Sequence, residues 1–533
     1  RPATDQPRSR SRARTLLPAI LTIVGVPILY WLVYGPPYLN YDASYSLLWA
    51  QDIASGWTPD YNNFIAPTPH PLQTFVSFLA LPLGSWTVPV LAWLVMLCFG
   101  GLCWVVYRIG KELFNDWVGV LAVIVIVTRP AFAKNVEAAY QDIPFILFVC
   151  WALLLEIRKP RNGVPVLVLL ALAGLLRPEA WVLSGLYWLY LWPARTMKQR
   201  VWLALIVGSA PVLWAISDWA VTGDFLHSFH GTSDLAAQLE RPREPIKAPY
   251  WTLKFFAWTL REPLIIGVPI GLVHCWYCAR RQGAILFGVA TLLSLIFIVT
   301  TFGGLPLIAR YVLTPTVLLA VIYAAGVFGW RSLPEDFPNR MRWKWVGWFS
   351  LALSIVFIPW FIPVAQDQAD KIHNYETIQG NLRTVADSPV VRKYNALCGR
   401  ISTTDHRPVP AFRYELDQPP SSVQSDGNPD TPLAALALYP ASQDIVDRFY
   451  SEKDPDLTPP KDGAGRDYEV VYESWAWKLY ASPECVAAVK RGEKLAGSNF
   501  WRPLLAEGRC AIPADGFYEW KDGKPKQPYL YTR

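Results

Sequence analysis

Long apolar stretches recur along the first two thirds of the chain, separated by short polar breaks. Runs near 15–35, 86–107, 117–133, 143–157, 163–176, 179–194, 201–221, 263–279, 283–302, 311–330 and 345–365 approach the roughly 17–25 residues that a helix needs to cross a bilayer. Their apolar character is continuous and not alternating, so they predict buried or lipid-facing helices and not strands. Residues 71–84 (PLQTFVSFLALPLG) are apolar but too short, and predict a helix lying at the interface. After residue 365 the pattern changes. Pro, Asp, Gly and Ser become frequent, as in QPPSSVQSDGNPDTP, while strand-like runs such as DYEVVYESWAWKLYA (468–482) appear.

The predicted fold is therefore an all-α polytopic membrane bundle of about eleven transmembrane helices, followed by a small extracytoplasmic α/β domain. Residues 1–14 form a basic cytoplasmic N-terminus. Residues 15–365 form the bundle, with a first outer loop at 36–85, and residues 366–490 form the outer domain. The first run is too long for a signal peptide, and no small-residue cleavage site follows it.

Composition agrees with this division. Of the 533 residues 53% are hydrophobic and only 17% are charged, where soluble domains carry about 25% charged residues. That low value argues against a soluble enzyme or a disordered chain. The net charge of +7 argues against nucleic-acid binding, because the basic residues sit in short loops beside apolar runs. Those loops carry Arg108 and Lys111, Arg158 to Arg161, Arg195 to Arg200, Arg280 and Arg281, and Arg331 to Lys344, whereas 36–85 holds no Lys or Arg. By the excess of cations in cytoplasmic loops, the N-terminus lies inside and the 36–85 loop outside. With eleven spans the C-terminal domain is outside a bacterial plasma membrane.

The 36–85 loop holds the first chemistry. In NYDASYSLLWAQDIASGWTPDYNNFIAPTPHPLQT, the ASYSLLWAQDIAS stretch predicts an amphipathic helix with Leu47, Leu48 and Trp49 toward lipid. Asp42 stands where that helix begins. It suits an N-cap, and it equally suits a base that takes a proton from an acceptor hydroxyl. Asp142 (YQDIPF) lies at the outer end of the fourth run, where an ionisable group is costly to bury in lipid. His70 lies in TPHPL. Arg177 and Glu179, in LLRPEA, either pair in a structural turn or face the outer surface. Arg310 (IARYVLTP) is either a snorkelling side chain or a planar grip for phosphate oxygens. All six fall at one face of the predicted bundle. The HCWYC segment (274–278) lacks the second ligand pair of a zinc site.

Together these segments resemble the GT-C fold glycosyltransferases, the group that includes protein O-mannosyltransferases and aminoarabinose transferases. The resemblance covers about 15–485 and rests on the early acidic residue of the outer loop, the His-Pro segment, the Asp of YQDIPF, the RPEA segment and the trailing domain. It implies an inverting transfer of a sugar from a polyprenyl phosphate to a glycan, lipid or protein acceptor at the outer face of the bilayer. It implies Asp42 as catalytic base and a supporting catalytic role for Asp142, which orients substrate or helps to hold Mg or Mn in members that use a metal. His70, Arg177, Glu179 and Arg310 would then bind substrate, with Arg310 on the leaving phosphate. The first acidic residue is a single Asp and not an Asp-Glu pair, so the sugar is not specified. A transporter would place its charges near mid-span. A non-catalytic scaffold of the same fold is the remaining alternative in the membrane.

Two cysteines of the outer domain, Cys398 and Cys485, could pair in an oxidising compartment. The last stretch has a different character. GRCAIPADGFYEWKDGKPKQPYLYTR, within 496–533, resembles part of the SOS-response-associated peptidases, which attach to abasic sites in single-stranded DNA. That resemblance implies a catalytic role for Glu519 and places Cys510 within the motif. The nucleophilic cysteine of that family lies in a Cys-Gly-Arg segment at the N-terminus. Here Cys-Gly-Arg is internal, at Cys398 to Arg400, and the family's His segment would follow Arg533. The sequence alone therefore reads as a truncated or chimeric frame at this end.

Overall fold

The computed structural model describes residues 9–239, 241, 244–261, 264–428, 431–450, 455–496, 516–520 and 528–532. The basic residues at positions 1 and 8 and Cys510 lie outside the described residues. The first helices are α1 (Ser9–Tyr34), α2 (Tyr41–Ala54), α3 (Pro71–Ala80), α4 (Thr87–Leu113), α5 (Asp116–Val127), α6 (Pro130–Glu137) and α7 (Asp142–Arg158). Then follow α8 (Val164–Gly174), α9 (Glu179–Leu191), α10 (Met197–Thr222), α11 (His227–Gln238), α12 (Ala248–Leu260), α13 (Leu264–Cys278), α14 (Arg280–Phe302), α15 (Leu313–Phe328), α16 (Arg340–Val356) and α17 (Ile358–Asp387).

Each of the eleven apolar runs contains a helix, but they are not equal. Five described helical segments are long and apolar enough to cross a membrane, or up to eight if each bent pair is one span. The difference from eleven has two causes. Helices α7, α8 and α9 have 17, 11 and 13 residues, and at about 1.5 Å per residue none alone matches a hydrocarbon core of about 30 Å. Other runs are broken. The 117–133 run splits into α5 and α6, bent by 69°, and the 345–365 run splits into α16 and α17, bent by 50°. Pro130 and Pro359 open the second helix of each pair, where a missing N–H costs nothing. The 71–84 segment is α3 followed by a 3₁₀ turn at Leu81–Trp86, kinked where Gly84 takes φ 58°.

The bundle is built around α15, buried along its length from Leu313 to Val327. Close packing uses glycine. A Cβ on Gly326 would fall 2.8 Å from the Cα of Gly271 on α13, and one on Gly110 would fall 2.6 Å from the Cα of Gly119 on α5. Small residues of this kind let helix backbones approach where no hydrophobic drive separates helix from lipid.

The trailing domain begins inside α17, a continuous 30-residue helix that crosses the expected boundary at 365. It continues as α18 (Pro389–Cys398), β1 (Ile401–Thr403), α19 (Val409–Leu416), β2 (Val423–Ser425), β3 (Leu436–Pro440), α20 (Gln443–Phe449), β4 (Glu469–Glu473), β5 (Trp477–Ala481) and α21 (Pro483–Ala496). Its five-stranded sheet has the order β2-β1-β3-β5-β4. Strands β1, β2 and β3 are parallel, and β5 is antiparallel to β3 and β4. Ile378, Leu382, Phe412 and Trp477 fill the core beneath the sheet. Cys398 and Cys485 form a disulfide that ties α18 to α21. Near the chain end, β6 (Gly516–Trp520) and β7 (Pro528–Thr532) form an antiparallel hairpin in which Glu519 is paired with Tyr529.

One expectation fails here. Leu47, Leu48 and Trp49 do not face lipid. They are 1%, 0% and 0% exposed, because α2 is wedged between the bundle and α19. Trp49 packs on Tyr45 and Tyr61. On the same helix Asp52 and the domain's Arg413 form a fully buried ion pair, and Gln51 donates to Asp417 at 2.7 Å. The hydrophobic stripe of α2 is therefore a protein–protein seam.

Removing one partner of a buried pair strands the other charge, at a cost of about 3–5 kcal/mol. Arg413→Ala should therefore loosen the domain from α2. Limited proteolysis of the full chain in detergent should show faster cleavage between 388 and 480, with the exposed pair Lys371→Gln as a neutral control.

Candidate functional site

Four segments far apart in sequence converge above the bundle, and each is fixed by local backbone bonds. Asn40 caps α2: its side chain accepts from the Ala43 N–H at 3.0 Å and donates to the Ala138 carbonyl at 2.7 Å. The Tyr38 N–H donates to the Glu137 carbonyl at 2.8 Å. The start of α2 is thereby tied to the end of α6. Asp42 lies in the first turn of α2, but the capping role belongs to Asn40. Arg310 lies in a 3₁₀ turn, Ala309–Val312, that leads directly into the buried α15. Asp142 opens α7. Arg177 sits between α8 and α9, its N–H bonded to the Ala173 carbonyl at 2.8 Å.

These residues form an alternating chain of charge. Arg310 donates to Asp42 at 2.8 Å and lies 4.0 Å from Asp142. Asp142 bonds Arg177, which also holds Glu179 at 2.8 Å. Rings flank the cations. Arg177 lies 4.2 Å from the Tyr311 ring centre, and Arg310 lies 5.2 Å from that of Tyr140. Such contacts stabilise a desolvated guanidinium. His70 precedes α3, bonds Gln141 at 2.8 Å and meets Trp214 edge to face.

Asp42, His70, Arg177, Glu179 and Arg310 all line one cavity of about 800 Å³. Asp142 does not line it. It is 1% exposed and stands behind Arg177 and Arg310 as their shared counter-charge. The six residues singled out from sequence thus belong to one assembly, with Asp142 in its second layer. Arg310 does not snorkel, and Arg177 pairs with Glu179 across the local turn while also reaching Asp142. Tyr140, Gln141, Trp214 and Tyr311 were not read from sequence. Two of them adjoin Asp142 in YQDIPF and one follows Arg310, so proximity along the chain was the available signal.

The backbone is strained beside the site. Ala139, just before Tyr140, has φ 46°, and Ile65, whose carbonyl accepts the Tyr41 hydroxyl at 2.9 Å, has φ 57°. Left-handed backbone at a β-branched residue is an outlier that surrounding structure must enforce.

Charge states follow from the geometry. Burial works to raise the Asp42 carboxyl, but the charge and hydrogen bond of Arg310 outweigh it and hold Asp42 below its ordinary range. Burial pushes His70 down to about 4, with Arg310 and Arg177 opposing its protonation and Asp42 favouring it. At neutral pH Asp42 is therefore ionised and His70 neutral, beside two guanidiniums. Both inner aspartates are already engaged by arginine, and among the described residues no cluster of three or more His, Cys, Asp or Glu could hold a metal ion. The donor set does not fit Mg or Mn. His274, Cys275 and Cys278 stand on α13 away from the cavity.

Comparison with known proteins agrees with this architecture. Residues 70–219 match the family model of dolichyl-phosphate-mannose-protein mannosyltransferase, less than a third of the chain. The structure is similar to the crystal structure of ArnT from Cupriavidus metallidurans in the apo state, with 13% identity and a TM-score of 0.50, covering 89% of this chain and 99% of that one. It is also similar to the oligosaccharyltransferase AglB from Archaeoglobus fulgidus, with 11% identity and a TM-score of 0.48, covering 80% of this chain and 69% of that one. The bundle and its trailing domain therefore have the GT-C fold of ArnT. A search of curated proteins finds no match. Residues 470–533 match the model of SOS response associated peptidase. That match starts earlier than the tail motif and takes in most of β4 together with β5 and α21; β4 and β5 complete the five-stranded sheet.

The His70 environment has a pH consequence. Its native pKa lies below the ordinary 6.5, so between about pH 6.5 and 4 the unfolded chain binds the extra proton and the native one does not. Stability should fall on acidification through that window, by up to roughly 3 kcal/mol. Thermal unfolding of the full chain against His70→Gln should show a shallower acid dependence in the variant. In ¹⁵N-histidine spectra the His70 signal should stay neutral down to pH 5.

Proposed function

We propose that this chain is a multi-pass membrane glycosyltransferase that moves a sugar from a polyprenyl-phosphate donor to an acceptor hydroxyl at the outer face of a bacterial plasma membrane. The observation that carries this reading is the Asp42–Arg310 pair at the wall of the 800 Å³ cavity, with Arg177, Glu179 and His70 beside it. The match of 70–219 to a family that acts from a dolichyl-phosphate sugar supports the donor class. The apolar helices support delivery of that donor from lipid.

The chemistry assigns one task to each group. The acceptor oxygen attacks the anomeric carbon, and its proton passes to the Asp42 carboxylate. The bond between that carbon and the phosphate oxygen breaks, and its electron pair leaves with the phosphate. Attack opposite the leaving group inverts the anomeric centre. Arg310 is poised to meet the growing charge on the phosphate, a placement that favours the transition state over the ground state. A carboxylate clamped by arginine is a weak base. When the donor phosphate draws Arg310 away, the force that depresses Asp42 weakens, and its basicity rises where it is needed. Neutral His70 donates or accepts a hydrogen bond without adding charge. Asp142 keeps both guanidiniums ionised and aimed.

The peptidase reading rests on the match at 470–533. The Cys-Gly-Arg segment that would supply its nucleophile is internal, and the Cys398 sulfur is bonded to Cys485. The membrane site has no comparable obstruction.

Membranes from cells expressing the full chain should transfer label from polyprenyl-phosphate mannose, glucose or arabinose to an endogenous acceptor. Asp42→Asn should reduce that transfer by about 10²-fold or more, the usual worth of a positioned base, while insertion is unchanged. Arg310→Lys should mainly weaken use of the donor, because an ammonium cannot reproduce the planar fork. Equal transfer by Asp42→Asn would overturn the assignment of the base.

A further inference from the structure

The far end of the bundle holds a cluster that the transfer chemistry does not use. Helix α15 starts at the Arg310 turn and runs for 16 residues, about 24 Å at the usual helical rise. It ends in a 3₁₀ turn, Gly329–Ser332. Three cations converge there on one indole. Arg331, Lys344 and Arg340 lie 5.3, 5.6 and 5.8 Å from the centre of the Trp330 ring. Arg331 also lies 4.9 Å from the ring centre of Trp117 on α5. The turn is tied to the start of α5, where Asn115 donates to the Phe328 carbonyl at 3.1 Å and to the Ser332 hydroxyl at 2.8 Å.

No carboxylate offsets these charges. Among the described residues, Arg331, Arg340 and Lys344 form no ion pair. Asp116, next in sequence to Trp117, is held by Lys111 at 2.7 Å. Glu335 and Asp336, in the connection to α16, are exposed and pair with none of the three. Arg340 and Lys344 are only partly exposed, and the covered Nε of Arg340 has no acceptor. Indole faces therefore hold the cations in place while their charge stays uncompensated. An excess of cations at one end orients a bundle whether or not they meet; their convergence on one ring is a property of the fold.

An apolar strip continues from the cluster. Arg340, Lys344 and Trp348 stand four residues apart on α16 and so share one stripe of that helix. Gly347 packs directly on the Val327 carbonyl and sets this part of α16 against α15. Phe328 joins Trp348 at 6.2 Å and Trp117 at 5.8 Å. Trp348 and Trp117 are 44% and 52% exposed, on helices long enough or bent enough to lie in the bilayer. Charge at the helix end and exposed rings deeper along the same stripe match the two halves of a phospholipid. Basic pockets at helix ends are suited to anionic headgroups, and aromatic rings to the boundary with the acyl chains.

We propose that Arg331, Arg340 and Lys344, set around Trp330, form a binding site for one anionic phospholipid of the leaflet opposite the cavity, with its acyl chains along Trp348 and Trp117. A zwitterionic lipid carries the same phosphate, but its own ammonium offsets the charge that the site leaves open. The site is independent of the sugar-transfer reading.

The full chain, purified in neutral detergent, would be titrated with phosphatidylglycerol and with phosphatidylcholine of the same acyl chains, bound lipid being counted by native mass spectrometry. Phosphatidylglycerol should bind about tenfold more tightly, and Arg340→Gln/Lys344→Gln should remove that preference. Arg331→Gln, at an exposed position, should weaken phosphatidylglycerol by about threefold and serves as the second variant if the double one folds poorly. Lys159→Gln/Lys198→Gln removes the same charge from exposed loop positions and should change binding by less than about twofold, because dispersed surface charge is screened. Glycerol 3-phosphate, which has the charge without the chains, should bind at least about tenfold more weakly than phosphatidylglycerol, since it buries no CH₂ groups. Equal binding of the two lipids would overturn the site. Equal losses in the Arg340/Lys344 and Lys159/Lys198 variants would reduce it to general surface charge and overturn it as well. Binding of glycerol 3-phosphate as tight as that of phosphatidylglycerol would make this a free-phosphate site and overturn the lipid assignment. None of these readouts needs sugar transfer, so an inactive preparation leaves the test intact.

Discussion

Everything in the site depends on one electrostatic constraint: two guanidiniums and three carboxylates have been taken out of water at the end of an apolar bundle. Moving an isolated ion into such surroundings costs several kcal/mol even after relaxation. The only tolerable arrangement is alternation, and the chain from Asp42 through Arg310, Asp142 and Arg177 to Glu179 is alternate at every step. Each contact also pins a different element. Asp42 brings α2, Arg310 brings the turn before α15, Asp142 brings α7, and Arg177 with Glu179 brings the α8–α9 turn. The network is thus a clamp that gathers these elements.

A pre-paired site is well suited to a charged substrate. An incoming phosphate does not have to create a cationic pocket, because Arg310 already exists in an aimed rotamer with Asp142 behind it. It has only to compete with Asp42 for one guanidinium. In the proposed reaction that competition would link binding to the state of the carboxylate, and would make the proposed base strongest with the phosphate in place. The buried imidazole of His70, neutral across the physiological range, leaves that exchange undisturbed.

A second seam couples the domain to this site. Helix α2 carries Asp42 in its first turn and Asp52 in its last, and the latter is locked to Arg413. Gln379 of α17 donates to the Leu39 carbonyl at 3.0 Å, just before the α2 cap. The domain therefore grips both ends of the helix that holds Asp42, and α17 runs unbroken from the bundle into it. The segment that matches the peptidase family begins within this domain's sheet, at β4. Its relation to the rest of the chain is thus one of shared strands, whatever its origin.

The sequence by itself determined that the chain is a helical membrane bundle with a mixed domain after it, because hydrophobic burial writes itself as long apolar runs and their loss. It also pointed to six polar residues, some beside apolar runs where burial is costly and two in the 36–85 loop, and the fold gathers them around one cavity. It did not determine how many runs cross a membrane singly, for a bend at Pro130 or Pro359 depends on what the next helix packs against. Nor did it reveal that Leu47, Leu48 and Trp49 face protein: an apolar stripe looks the same whether lipid or α19 covers it. The partners were decided only in three dimensions. Arg310 pairs with Asp42 across 268 positions, Arg413 with Asp52 across 361, and no local pattern encodes contacts that far apart, because Coulomb attraction acts on distance in space and not along the chain.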